Sequence, residues 1–204
     1  MTGCRPLTNK EIEKVISKLN EGLQAKRNIA LFVLGVTSGF RIQEMLALKV
    51  KDVFKNGKIT DFVSVSRQHM KKKLEGRTVK INNDGKEALL SYITENELCP
   101  NSFLFPSRKD PSRAIDRIQA WRILKNVFDS VGMTGKLGTH SLRKTFAKNM
   151  HKFLDNDIVQ TQSALGHRNI ASTLHYLSVN QENVDKAIDK NTPCKKILSA
   201  LKNK

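Results

Sequence analysis

The sequence predicts a mainly α domain with one small antiparallel β-sheet near its start, an α+β arrangement. Three observations carry that expectation. Apolar residues recur at helical spacing through most of the chain, period-two alternation is confined to residues 52–81, and no Gly/Ser/Pro-rich linker divides the 204 residues. Residues 1–7 read as an extended lead-in. Thr8 and Glu11 then form a capping box, and Ile12, Val15, Ile16 and Leu19 fall on one helix face. A strongly apolar helix is expected over about 25–38, and a shorter one near 41–48 with Met45, Leu46 and Leu48 as its core face. In the stretch 52–66, "DVFKNGKITDFVSVS", Asn56-Gly57 is a hairpin signal between β-branched runs, and "GRTVKI" (Gly76 to Ile81) alternates as a strand does. Together they make a sheet of two or three strands. Helices follow over about 84–95, 115–131, 141–152, 157–165 and 170–177, with Asp157 or Asn156 capping the one at 157–165. The closing "PCKKILSALKNK" places Ile197, Leu198 and Leu201 on one side of a short amphipathic helix.

At 23.0 kDa the chain can bury a real core, as one large domain or two small ones. Its longest apolar run, Ile29 to Val36, is eight residues, against the roughly 20 that a membrane span needs. No apolar stretch follows Arg5 and Lys10 as it would in a signal peptide. Cys4, Cys99 and Cys194 lie far apart, without CxxC or CxxH spacing, which fits a reducing cytoplasm. Charge says more. Lys and Arg number 36 against 19 acidic residues, a net charge of +17 and a pI near 10.0. Such an excess repels itself in the folded state, and a polyanion relieves it. The basic residues are scattered rather than gathered on one amphipathic helix, so a membrane surface fits less well than nucleic acid.

The chain has no Walker-type glycine loop, no HExxH and no carboxylate cluster spaced for two metals. Chemistry on nucleic acid would therefore proceed without a divalent ion or nucleotide cofactor. Four stretches remain. "VTSGFRIQEMLALKVKDV" sets Arg41 just after a glycine turn, at a helix start. "RQHMKKKLEGRTVKI" holds the triplet Lys71, Lys72, Lys73 at a hairpin tip or strand end. "LGTHSLRKTFAKNM" places His140 and Arg143 at i and i+3, neighbours on one face at a helix N-terminus, where an anion is welcome. "LGHRNIASTLHYL" closes one helix with Gly166-His167 and carries Tyr176, one of two tyrosines, on the next. Singly, each has a bland explanation: a surface arginine, a solvated tip, a capped helix, a packed tyrosine.

Their order is not bland. An arginine, a basic hairpin, H-x-x-R, then L-G-H with a tyrosine nine residues beyond that histidine, resembles the catalytic domain of the tyrosine recombinase (phage integrase) family, over nearly all of residues 6–190. "TSGFRIQEMLAL" is also similar to the family pattern T-G-x-R-x-x-E-L, and Lys144 stands where many relatives have histidine. The resemblance implies the tyrosine recombinase catalytic-domain fold over residues 8–180, a linker or lead-in at 1–7, and a C-terminal tail at 181–204. It implies a site-specific DNA recombinase that cuts and rejoins strands through a 3′-phosphotyrosine link, with no metal, ATP or other cofactor. Tyr176 would be the nucleophile. Arg41 and Arg143 would hold the phosphate, His140 and His167 would donate to it or move the tyrosine proton, and Lys72 (or Lys71 or Lys73) would protonate the leaving oxygen. Glu44 would orient its neighbours. The partner would be double-stranded DNA in the cytoplasm of a bacterial, archaeal or phage-infected cell, bound by a homo-tetramer that exchanges C-terminal tails. Family members usually carry an N-terminal helical clamp with no counterpart here, so the chain reads as a catalytic fragment, or else as a small single-domain member that inverts DNA segments. Two other readings stand beside this one: a type IB topoisomerase, with nearly the same residues, and a non-catalytic DNA-binding protein of the same fold.

Overall fold

The structure, a computed structural model, describes residues 3–65, 77–166 and 170–174. The first helix, α1 (Asn9–Asn20), starts where the capping box predicts: Thr8 accepts from the Glu11 amide, and the Glu11 carboxylate accepts from the Thr8 amide at 2.8 Å. Arg5 pairs with the same carboxylate, and Leu7 is buried, its amide donating to Thr145 Oγ1 at 2.8 Å. The lead-in is thereby docked on the domain.

Helix α2 (Ala25–Ser38) is apolar on nearly every face, and a helix apolar all round must be surrounded. Ala30, Leu31 and Leu34 enter one core with α3 (Ile42–Ala47), α4 (Val50–Val53) and α5 (Asn83–Glu95); Phe32 and Val36 enter a second with α1 and α6 (Arg117–Ser130). Leu31, Phe32 and Leu34 are fully buried, each worth roughly 1.5–3 kcal/mol of transfer free energy. The chain is built around α2. The remaining helices are α7 (Thr139–Phe153), α8 (Ile158–Leu165) and α9 (Ile170–Leu174). Asn82, Asp116 and Asp157 cap α5, α6 and α8 with their side chains.

The strands depart from expectation. Instead of one sheet there are two separate antiparallel pairs, β1 (Phe54–Lys55) with β2 (Lys58–Ile59) and β3 (Phe62–Val65) with β4 (Arg77–Lys80). Asn56 and Gly57, both at positive φ, make the tight turn of the first pair. The chain then turns away: the Thr60 amide donates to the Val53 carbonyl, and β3 begins a new ladder in the register Val63↔Val79. Val63 and Val79 face the core while Phe62 is exposed, as period-two alternation requires. The one-turn helix α4 was not expected either.

Two glycines set the seat of α7 on α2. A methyl group at Gly35 would lie 2.5 Å from Leu142 Cδ1, and one at Gly39 would run into the ring of Phe146. Gly35 and Gly39 are one turn apart, as are Leu142 and Phe146, so two side chains of α7 sit in two notches of α2. Among the described residues, no helix is long and apolar enough to cross a membrane.

Candidate active site

The notched contact brings the C-terminal end of α2 beside the first turn of α7. Gly39 ends α2 in the left-handed region (φ 64°), Phe40 anchors in the core, and Arg41 follows with extended backbone at the start of α3. Glu44 fixes Arg41 from both sides. Its carboxylate accepts from the Arg41 backbone amide at 2.7 Å and from Nη1 at 3.0 Å. This is the orienting role expected of Glu44, and it stiffens the arginine while leaving its side chain 38% exposed.

Arg143 sits one turn into α7 and is only 2% exposed. Its Nη1 donates to the Gly39 carbonyl and its Nη2 to the Leu165 carbonyl at 2.8 Å. Both acceptors lie at helix C-termini, those of α2 and α8, where carbonyl dipoles favour a cation. Gly166, in the left-handed conformation (φ 60°), closes α8 so that the Leu165 carbonyl is presented there. The burial of Arg143 is thus offset by two charge-assisted hydrogen bonds. They occupy part of the five-donor capacity of a guanidinium.

Arg41, distant in sequence, joins His140 and Arg143 in lining one cleft of about 110 Å³ together with Phe40, Thr139 and Arg117. That is well below the roughly 300–1,000 Å³ of sites for drug-sized molecules and suits one tetrahedral anion. His140 is held below its ordinary pKa of 6.5, first by lost hydration, then by the cations Arg143, Lys144, Arg117 and Arg41. It is therefore a neutral imidazole at pH 7, able to accept a proton or to donate one N–H. Arg117, at the first position of α6, is a cleft residue that the sequence did not single out. It stands 23 residues from His140, and no local spacing rule connects them; the packing of α6 on α7 does. Among the described residues no group of His, Cys, Asp or Glu side chains is placed to hold a metal ion.

Lys72, with Lys71 and Lys73, lies outside the described residues, in sequence between the paired strands β3 and β4. His167 and Tyr176 also lie outside them, His167 directly after the Gly166 cap and Tyr176 two residues beyond α9. So do the segments around Ile197, Leu198 and Leu201.

Comparisons with known proteins agree with this geometry. The probable integrase/recombinase YoeC of Bacillus subtilis (strain 168) is 32% identical over 157 residues, 77% of this chain and 80% of that protein. The type 1 fimbriae regulatory protein FimB of Escherichia coli (strain K12) is 28% identical over 178 residues, 85% of this chain and 84% of that one. Among solved structures, XerA recombinase superposes with a TM-score of 0.71 at 23% identity, a likeness of fold that covers 95% of this chain and 65% of that one. The XerH site-specific recombinase, in a post-cleavage complex with a palindromic difH substrate, also gives 0.71, at 25% identity over 90% of this chain and 51% of XerH. The chain therefore spans between half and two-thirds of these solved relatives. Residues 5–183 match the profile of the phage integrase family, and with two arginines and a histidine of its signature meeting in one cleft, the chain belongs to that family.

Proposed function

We infer that this protein is a site-specific DNA recombinase of the tyrosine type. Its substrate is double-stranded DNA, which the cationic cleft and the net charge of +17 both suit. The Tyr176 hydroxyl attacks a backbone phosphorus; a Tyr176 Oη–P bond forms, the P–O5′ bond breaks, and the strand is held as a 3′-phosphotyrosine. The tyrosine proton passes to neutral His140, and Lys72 supplies a proton to the departing O5′, a general-acid contribution of about 10²–10⁴ in rate. Arg41 and Arg143 meet the charge that develops on the non-bridging oxygens, each donor worth about 3 kcal/mol. His167 adds a further donor. A 5′-hydroxyl of a second strand then attacks the phosphotyrosine, so phosphate ester is exchanged for phosphate ester and no ATP is consumed. Residues 8–180 form the catalytic domain on this reading, and residues 181–204 the tail that a homo-tetramer on DNA exchanges between protomers.

The convergence of Arg41 with His140 and Arg143 supports the reading most directly, because Arg41 stands about a hundred residues from the other two and all three line one small cleft. The test is a covalent trap. Nicked suicide duplexes incubated with the full chain in EDTA should give a protein–DNA band, which Tyr176→Phe abolishes. A band that survives that substitution would remove Tyr176 from the role.

A further inference from the structure

We propose that the DNA-backbone site does not end at the cleft but continues over the first turn of α6 into a second, larger hollow, where Arg113, Arg122 and Lys109 hold phosphates flanking the one that reacts. The proposal rests on the recombinase reading above and adds a surface to it.

Successive residues at the start of α6 border two hollows. Arg117 borders the catalytic cleft, and its neighbour Asp116 borders a hollow of about 620 Å³ with Lys109, Asp110, Arg113 and Arg122. Two acids also line this hollow and keep their charge, so Lys109, Arg113 and Arg122 outnumber them by one. Asp116 caps α6 through the Gln119 amide at 2.6 Å, and Asp110 accepts from the Ser112 amide at 3.0 Å and its hydroxyl at 2.6 Å. Arg113 lies near enough to Asp110 to help lower that carboxyl's pKa. Among the described residues Lys109, Arg117 and Arg122 form no ion pair within 4.0 Å, whereas Lys125, farther along the same helix, is tied to Asp129. These cations face the hollows and are open to an external anion.

The hollow is also built rigidly. The segment from Phe105 to Ile115 is a tight hairpin: Ser107 and Ile115 donate their amides to the Arg113 and Phe105 carbonyls at 2.8 and 2.9 Å, and Pro106 bridges Ala114. Phe105 and Ile115 are locked in the core at its base. Its backbone therefore presents Lys109 and Arg113 from fixed positions, so that only their side chains are ordered at binding. Forked guanidiniums suit phosphate oxygens better than point charges do. A duplex seated on Arg41 and Arg143 at one phosphate would meet Arg117 next, then the hollow. The partner is the sugar–phosphate backbone of DNA, not the bases.

The experiment is the salt dependence of binding to a fluorescein-labelled mixed-sequence duplex, followed by anisotropy with the full chain. Each phosphate contact contributes about 0.9 to the slope of log K against log salt. Arg113→Gln/Arg122→Gln should lower that slope by about 2 and Arg117→Gln by about 1, with the melting midpoint unchanged because these side chains are exposed. Lys10→Gln/Lys14→Gln on α1 removes the same charge and should leave the slope alone. An unaltered slope in the double variant overturns the proposal, as does an equal fall in the α1 control, which would make the effect one of net charge. A change in sequence preference without a change in slope overturns it too, in favour of base contacts. If wild-type protein forms the Tyr176 adduct while the slope is insensitive, the track alone fails; if it forms neither adduct nor salt-dependent complex, the recombinase reading fails with it.

Discussion

Gly39 does three jobs that no other residue type combines. Its positive φ turns the chain out of α2 toward Arg41, its missing side chain admits Phe146, and its carbonyl receives Arg143. Gly39→Ala combines left-handed strain with overpacking, and should cost about 2–4 kcal/mol in urea unfolding while also lowering adduct yield. His140 offers a second test at this scale. Its pKa lies below the ordinary 6.5, so its neutral form survives to lower pH than that of a free imidazole. Adduct formation that uses His140 as proton acceptor should thus decline in acid with a midpoint below 6.5, and His140→Ala should remove that acid limb from the rate profile. Residues such as these were legible in the sequence because their spacing along one helix, or beside one glycine, is a local matter. Arg117 was not, since only tertiary packing carries it to His140.

At the scale of elements, the boundaries of α2, α3, α5, α6, α7 and α8 were read to within two residues from apolar spacing and caps, while the expected end of the last helix at 177 lies outside the described residues. The sheet was misjudged. Strands of two and four residues take their partners from the turn at Thr60–Asp61 and from burial of Val63 and Val79, and neither is encoded in alternation alone. The start of α1 is the element most open to a quantitative check. The Arg5 hydrogen bond above all holds Glu11 down at about 2 from its ordinary 4.5; lost hydration, next in size, pushes it up, and the Thr8 donors and the Arg5 charge lower it further. A depressed carboxyl stabilises the fold fully above its unfolded value and loses that contribution as pH falls toward the folded one. The melting midpoint should therefore drop between about pH 4.5 and 2, and Glu11→Gln should flatten that drop while costing about 1 kcal/mol at neutral pH.

For the whole molecule, the excess of +17 is a standing load on the compact state. Raising salt toward the range where the Debye length is about 10 Å should raise the melting midpoint of the free protein, in contrast to its weakening effect on DNA binding. A scanning calorimetry series in sodium chloride checks the first, and a midpoint that falls with salt would show that attractive pairs outweigh the repulsion. Composition alone leads to this expectation, because net charge needs no fold to be counted.

Arg143 draws its two carbonyl partners from the ends of two different helices, α2 and α8. Until both helices are home, its charge has only water for company, and once both are home it is sealed at 2% exposure. The guanidinium thus works as an interlock. A chain still folding, or one whose α8 has come loose, lacks this sealed guanidinium. On the proposed reading of the site, a blade that exists only when the handle is complete is a safeguard against stray cuts.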